Sequence, residues 1–210
     1  MRRTILFLLG VLTFAGCISQ NPYIPVRRYQ LDESPLITAP REKAIEATIA
    51  VRDLRARPRY EQRMLRRDAA GEITYREYDR WVEQPADLVA EMLRRALTET
   101  GAFKNVCPAR FAGSSQYAVD GDIISFDEVS GGKENRAVFA VRLELTRADD
   151  GKILWSEMFE KSVPMTADSG AATAEAMGKA VREAVTEAAG KIVAAAEQDF
   201  NTRASQPKQE

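Results

Sequence analysis

Apolar and polar positions alternate along the middle of the chain and then shift to helical spacing twice. Ile45-Glu46-Ala47-Thr48-Ile49-Ala50-Val51 alternates. That pattern predicts a strand, because successive strand side chains point to opposite faces. Residues 60–67 and 72–79 read as two further strands, joined by the turn-forming Asp68-Ala69-Ala70-Gly71. The period then changes. Pro85 suits the first turn of a helix, where its missing N–H goes unneeded. Leu88, Val89, Met92, Leu93, Ala96 and Leu97 recur at helical spacing and form one apolar face. Asp87 sits near the positive N-terminal end of that helix, and Gly101 is its predicted stop.

Three strands are expected next. Residues 116–128 carry Tyr117, Val119, Ile123, Ile124 and Phe126, and Gly131-Gly132 offers a reversal. In residues 136–147, Ala137, Phe139, Val141, Leu143 and Leu145 share one face, while Arg142, Glu144 and Thr146 share the other. Asp150-Gly151 is a hairpin signal, and 152–163 is the return strand, with Ile153, Trp155, Phe159 and Val163 on one parity. Ser169 is placed to cap a last helix over about 170–200. Its face is Met177, Val181, Ala184, Val185, Ala188, Ile192, Ala195, Ala196 and Phe200, and the alanines allow close approach to a sheet.

The ends of the chain differ from its middle. Arg2 and Arg3 precede a short apolar run from Ile5 to Phe14, which closes Phe14-Ala15-Gly16-Cys17. The run is too short to span a bilayer and has the order of a secretory signal. Small residues directly before a cysteine resemble a bacterial lipobox, with Phe14 where leucine is usual. Residues 1–16 are therefore read as signal peptide, and Cys17 as the acylated N-terminus carrying diacylglycerol and a further fatty acid such as palmitate. Two or three acyl chains hold a protein stably on a membrane. Ile18, where an aspartate would retain an enterobacterial lipoprotein in the inner membrane, points to the periplasmic face of the outer membrane. Residues 17–41 hold Pro22, Pro25, Pro35 and Pro40 and read as an extended tether, within which Arg28-Tyr29-Gln30-Leu31 fits a short edge strand. Residues 42–200 form the domain, and 201–210 read as a flexible polar tail.

Composition removes whole classes of chemistry. The sequence has no histidine, which excludes Ser-His, Cys-His and His-ligated metal sites within the chain. Once Cys17 is acylated, Cys107 has no partner cysteine, so no intrachain disulfide is expected. The formal charge is −1, and removing the segment that holds Arg2 and Arg3 leaves −1 − 2 = −3. That balance gives no support to nucleic-acid binding. No phosphate-cradling glycine motif is present, and no catalytic residue, cofactor or metal ligand is assigned.

Several clusters admit two readings. Arg52, Arg55, Arg57, Arg59, Arg63, Arg66 and Arg67 form a basic stretch, only partly offset by Asp53 and Glu61. It is either a docking surface for an acidic partner or anionic head groups, or a solvated strand face. Arg80-Trp81 is either a binding pair or, since Trp81 stands just before Pro85, a core anchor under the first helix. Asp120 and Asp122 share a strand face, with Asp127 and Glu128 following. Such oxygen ligands can bind calcium, but the Gly-rich loop of an EF-hand is missing, so an exposed strand edge is the plainer reading. Arg55, Arg57, Arg59, Arg80 and Trp81 are carried forward as candidate partner-binding residues.

Certain residues also point to a family. They are Arg28-Tyr29-Gln30-Leu31, Ile49-Ala50-Val51, Tyr60, Met64, Tyr75 to Trp81, Val82-Glu83-Gln84-Pro85, and Tyr117 to Phe126 ending Gly121-Asp122-Ile123-Ile124-Ser125-Phe126. In this order behind a lipobox they resemble the auxiliary lipoproteins of ABC-type transport systems. Those include the lipoproteins of MCE-type lipid transporters and of the paraquat-inducible intermembrane system. The resemblance covers about residues 28–200. It implies a single layered α/β domain with a mixed, largely antiparallel sheet and two main helices, the C-terminal one long. It also implies a non-enzymatic accessory that assists lipid transport between the membranes, with the MCE-type substrate-binding protein as partner. A ring-like homo-oligomer fits a symmetric conduit. The competing readings are another outer-membrane assembly or secretion-accessory lipoprotein, and a carboxylate-based periplasmic hydrolase. The missing histidines and nucleophile motifs weigh against the hydrolase.

Overall fold

The computed structural model describes residues 23–37 and 39–205. The signal segment and Cys17 lie outside the described residues. In chain order the elements are β1 (Arg27–Tyr29), β2 (Ile45–Val51), β3 (Arg55–Ala56), β4 (Arg63–Arg67), β5 (Ile73–Trp81) and α1 (Pro85–Glu99). They continue as β6 (Phe103–Pro108), a 3-10 turn (Ala109–Ser114), β7 (Tyr117–Val129), β8 (Arg136–Arg147), β9 (Ile153–Pro164) and α2 (Gly170–Ala204).

Strand β7 is the spine of one mixed sheet. Along one edge β8 pairs with it over its whole length, and β9 pairs with β8, both antiparallel. Three shorter strands share the other edge in turn: β2 at Tyr117–Val119, β3 at Asp122–Ile123 and β4 at Glu128–Val129, all parallel to β7. Beyond β2 lies β6, and beyond β4 lie β5 and then β1. The long ladders are antiparallel, while the short pairings are mostly parallel.

The 35-residue α2 packs its alanine-rich face over β8 and β9. Met177, Val181, Ala184, Val185, Ala188 and Ile192 are buried against Ala137, Phe139, Val141, Leu143 and Leu145, none more than 1% exposed. Helix α1 fills the space beside α2 with Val89, Leu93, Ala96 and Leu97. Trp81 joins this core at 2% exposure and meets the edge of Phe126, centroids 5.2 Å apart. Ser169 caps α2 by accepting from the Ala172 amide, satisfying one of the donors a helix start leaves free. Gly101 stops α1 with φ +64°.

Two bulges decide what a strict period of two would misplace. Partners advance from Ile123↔Val141 to Ser125↔Ala140, so Ile124 is an extra residue. In strict alternation Phe126 and Glu128 would share the outer face with Asp120 and Asp122. With the bulge, both turn inward, at 2% and 1% exposure, and Ile124 is left 39% exposed. A second bulge falls beside Trp155, where Leu145↔Trp155 is followed by Thr146↔Ile153. Ile153, expected on the inner face, is 55% exposed.

Other differences have similar local causes. The edge strand β6 and the 3-10 turn lack an alternating pattern, because Lys104 and Asn105 face water while β6 takes its backbone partners from β2 alone. Part of the segment read as tether is seated on the domain. Leu31 and Leu36 are buried, the Leu36 and Ile37 amides donate to the Glu99 carboxylate at 2.6 and 2.9 Å, and Arg182 holds Asp32 at 2.6 Å. Residues 201–204, expected in the tail, continue α2.

The bulge at Ile124 generates a prediction. Ile124→Thr is expected to shift stability by less than about 1 kcal/mol, as for a surface position. Deleting Ile124 leaves Phe126 and Glu128 facing inward on a now regular ladder and is expected to keep cooperative thermal unfolding followed by circular dichroism, whereas inserting one residue between Ser125 and Phe126 reverses both and is expected to abolish it.

Candidate partner-binding surface

The basic stretch and the acidic positions of β7 come together. Chain 52–67 runs alongside β7 in the same direction, pairing first through β3 and then through β4 with the residues between them looping out, so its arginines meet the acids of β7 in broadly the same order. Arg52 reaches Asp120 at 3.4 Å. Arg55 grips Asp122 with two hydrogen bonds of 2.7 and 2.8 Å. Arg67 donates to Asp127 at 3.0 Å, and Arg66 meets Glu128 at 2.9 Å. The Arg55 hydrogen bond holds the Asp122 carboxyl below its ordinary value.

The inward end of this ladder is a buried charge network. The Glu128 side chain has no exposure and accepts two bonds from Arg76, at 2.8 and 2.9 Å, and one from the Thr173 hydroxyl at 2.8 Å. Arg66 and Arg76 also share Asp168 at 3.1 and 2.6 Å, which lowers the Asp168 pKa. Asp79, 3% exposed, takes two bonds from Arg27, and its carboxylate lies where a Cβ on Gly170 would stand, 2.4–2.7 Å away. Asp79, Glu128 and Asp168 thus surround the first turn of α2, where the helix dipole favours negative charge. On the outer side, Asp127 accepts from Tyr60 and Ser125, both at 2.8 Å.

These pairings sort the candidate residues. Arg55 is bound to Asp122 and, at 3.7 Å, to Asp120. The Arg59 guanidinium lies over the Tyr60 ring at 5.1 Å, and its buried Nε has no hydrogen-bond partner among the described residues. Arg80 donates to the backbone carbonyls of Arg76, Glu77 and Asp79. Those carbonyls belong to a kink in β5, where pairing jumps from Arg63↔Arg80 to Leu65↔Tyr75, so Arg80 satisfies groups that the ladder leaves open. Trp81 is enclosed in the core. Arg57 is exposed, and among the described residues it has no ion-pair partner. It lines a shallow groove of about 340 Å3 with Arg55, Asp122, Ile124 and Arg142. The structure therefore brings Arg55 and Arg57 to one outer face and gives Arg80 and Trp81 internal work.

A second feature had no signal in the sequence. A groove of about 600 Å3 opens at the far end of the sheet between Tyr117, Gln116, Ala148 and the α2 residues Phe200 and Arg203. Asp199 ties this end together, accepting from Tyr117 at 3.1 Å and from Arg147 at 2.5 Å. Burial, then the Asp199 charge, push the Tyr117 hydroxyl up to about 12. Cys107 is buried, and burial raises its thiol pKa, which suppresses the nucleophilic thiolate.

Residues 29–189 match the family described as "ABC-type transport auxiliary lipoprotein component". Comparison with curated proteins finds no match. Among solved structures, a protein of Xanthomonas campestris superposes with a TM-score of 0.75 at 19% identity, covering 84% of this chain and 99% of that one. An uncharacterized protein reaches 0.63 at 12% identity, over 80% and 99% of the two chains. A lipoprotein of Neisseria meningitidis aligns at 0.37 and 11% identity, over 74% and 99%. At these identities the first two likenesses concern the fold.

Tyr117 gives a pH prediction. Its folded pKa is raised, so its contribution is fully present below the ordinary value of 10.0 and is lost as pH rises towards about 12. Thermal midpoints are expected to fall over that window. Tyr117→Phe is expected to flatten the fall, because no hydroxyl remains to ionise.

Proposed function

The chain belongs to the ABC-type transport auxiliary lipoprotein family, and on that footing we propose that it is a lipid-anchored, non-catalytic accessory of an MCE-type intermembrane lipid transporter. The observation that carries this reading is the family match over residues 29–189 standing directly behind Phe14-Ala15-Gly16-Cys17. Cys17 is the acylated residue and the outer membrane the location. Among the described residues no helix is long and apolar enough to cross a bilayer, so the cysteine is the anchor this reading calls for.

The non-catalytic role follows from how the acids are used. Asp120, Asp122, Asp127 and Glu128, the carboxylates available for hydrolysis, are engaged by arginines. Asp122, held below its ordinary value by the Arg55 hydrogen bond, is a poor general acid. No histidine is present to replace it.

The partner is the MCE-type substrate-binding protein, and the contact centres on Arg57 with Arg55 and Arg59 flanking it. A partly unneutralised basic face steers weak encounters with an acidic rim. The linker that links anchor to domain is shorter than the whole segment 17–41, because β1 begins at Arg27. Residues 18–26 extend at most about 30 Å in polyproline form. The domain therefore works close to its own membrane, and the conduit must reach it there.

Crosslinking in cells from position 124, which lines the same groove, read by mass spectrometry, tests this. The expected outcome is recovery of the transporter's MCE subunit, with Arg57→Glu reducing the yield several-fold and making it more sensitive to salt. Recovery of only a secretion or outer-membrane assembly machine would replace the transporter with that machine.

A further inference from the structure

Just before β1 the chain exposes an apolar stretch that the domain does not use. Tyr23 is 87% exposed, Ile24 49% and Val26 41%, and Arg28 beyond them is exposed too. Removing apolar surface from water is favourable, so three of four consecutive residues left in water call for a cover. The domain offers none: the same strand turns polar at once, with Arg27 spent on Asp79.

The place of this stretch in the chain says what covers it. From Cys17 to Tyr23 is six residue steps, at most about 21 Å fully extended. With acyl chains on Cys17 buried in the bilayer, Tyr23, Ile24 and Val26 are tethered within reach of the head-group layer. That layer favours an aromatic ring with a polar tip beside aliphatic and basic side chains. We infer that Tyr23, Ile24 and Val26 form a second, interfacial membrane contact that seats the domain on the bilayer surface in one orientation. The inference rests on the lipid-anchor reading of Cys17.

The sheet fixes which end faces the lipid. Strand β1 is parallel to β5, and β5 begins directly after the turn Asp68–Gly71. The chain therefore comes in from the side of this turn, and Arg27 joins the sheet beside Asp79, which lies against Gly170 at the start of α2. Gly131, in the β7–β8 loop, lies against Ala69 at the same end. Ile73, 39% exposed, adds apolar surface there. The opposite end carries the turn Asp149–Gly151 and the groove of Tyr117, Phe200 and Arg203. The twelve residues of β8 separate the two ends by about 40 Å. Seated this way, the domain presents that groove away from its own membrane.

The acylated full chain is reconstituted in vesicles of phosphatidylethanolamine and phosphatidylglycerol, and flotation confirms its attachment. Tyr23→Cys and Lys152→Cys, each in a Cys107→Ala background, carry a polarity-sensitive fluorophore, and matching circular dichroism melts verify folding. The inference expects blue-shifted emission at position 23, with quenching by lipids bearing a shallow nitroxide, and water-like, unquenched emission at 152. Water-like emission at 23 in protein that floats overturns the inference and leaves the lipid anchor standing. Equal quenching at both positions overturns the orientation. Protein that does not float, with an unmodified Cys17 by mass, defeats the anchor and this contact together.

Discussion

Arginines from residues 52–67 lie along the acids of β7, and the short strands of the sheet hang on that alignment together with their buried side chains. Strands β2, β3 and β4 pair with β7 over only a few residues each. Register is set first by their buried side chains, Ile49 and Val51 on β2 and Met64 and Leu65 on β4, because a slip of one residue turns them to water. The opposite charges add to this, since a slip also turns the cations away from their partners. Arg52–Asp120, Arg55–Asp122 and Arg67–Asp127 serve as register marks between Val51 and Val129.

The pairs are not equal in energy. Arg55–Asp122 stands in water, with side chains 62% and 43% exposed. Exposed pairs contribute about 0–1 kcal/mol even with good geometry. Glu128 is fully enclosed, and Arg76 is only 10% exposed. Two charges removed from water cost several kcal/mol each, recovered only when every lone pair is met. Here each carboxylate oxygen of Glu128 has donors, from Arg66, Arg76 and Thr173. The network adds little net stability over an apolar core. It ties β4, β5 and β7 to the start of α2.

Much of this architecture was legible in the chain. The bounds of β2 and β8 agree with their alternation, and Pro85, Gly101 and Ser169 mark helix ends through fixed local chemistry. Features set by pairing between distant segments were not legible. The bulge at Ile124 has no local signature, yet it turns Phe126 and Glu128 inward. The arginine run and the acid run each looked like a solvated face when taken alone. Only the parallel placement of 52–67 along β7 shows that they neutralise each other. For the same reason Arg80 and Trp81, which look like a binding pair by composition, serve a strand kink and the core. Arg57 looked like its neighbours; among the described residues Arg57, Arg59 and Arg63 have no ion-pair acid, and Arg59 and Arg63 lie over the Tyr60 and Tyr75 rings instead.

The functional reading depends on this neutralisation. If the arginines are committed internally, the surface left for a partner is small and centred on Arg57, and the carboxylates are not free for chemistry. A double-mutant cycle on Glu128 and Arg76, read by denaturant unfolding, tests that commitment most directly. The account predicts that Glu128→Gln and Arg76→Gln each cost about 2–5 kcal/mol and that the double variant costs well under their sum, a coupling of roughly 2 kcal/mol or more. Costs that are small, or that add within about 0.5 kcal/mol, would contradict it.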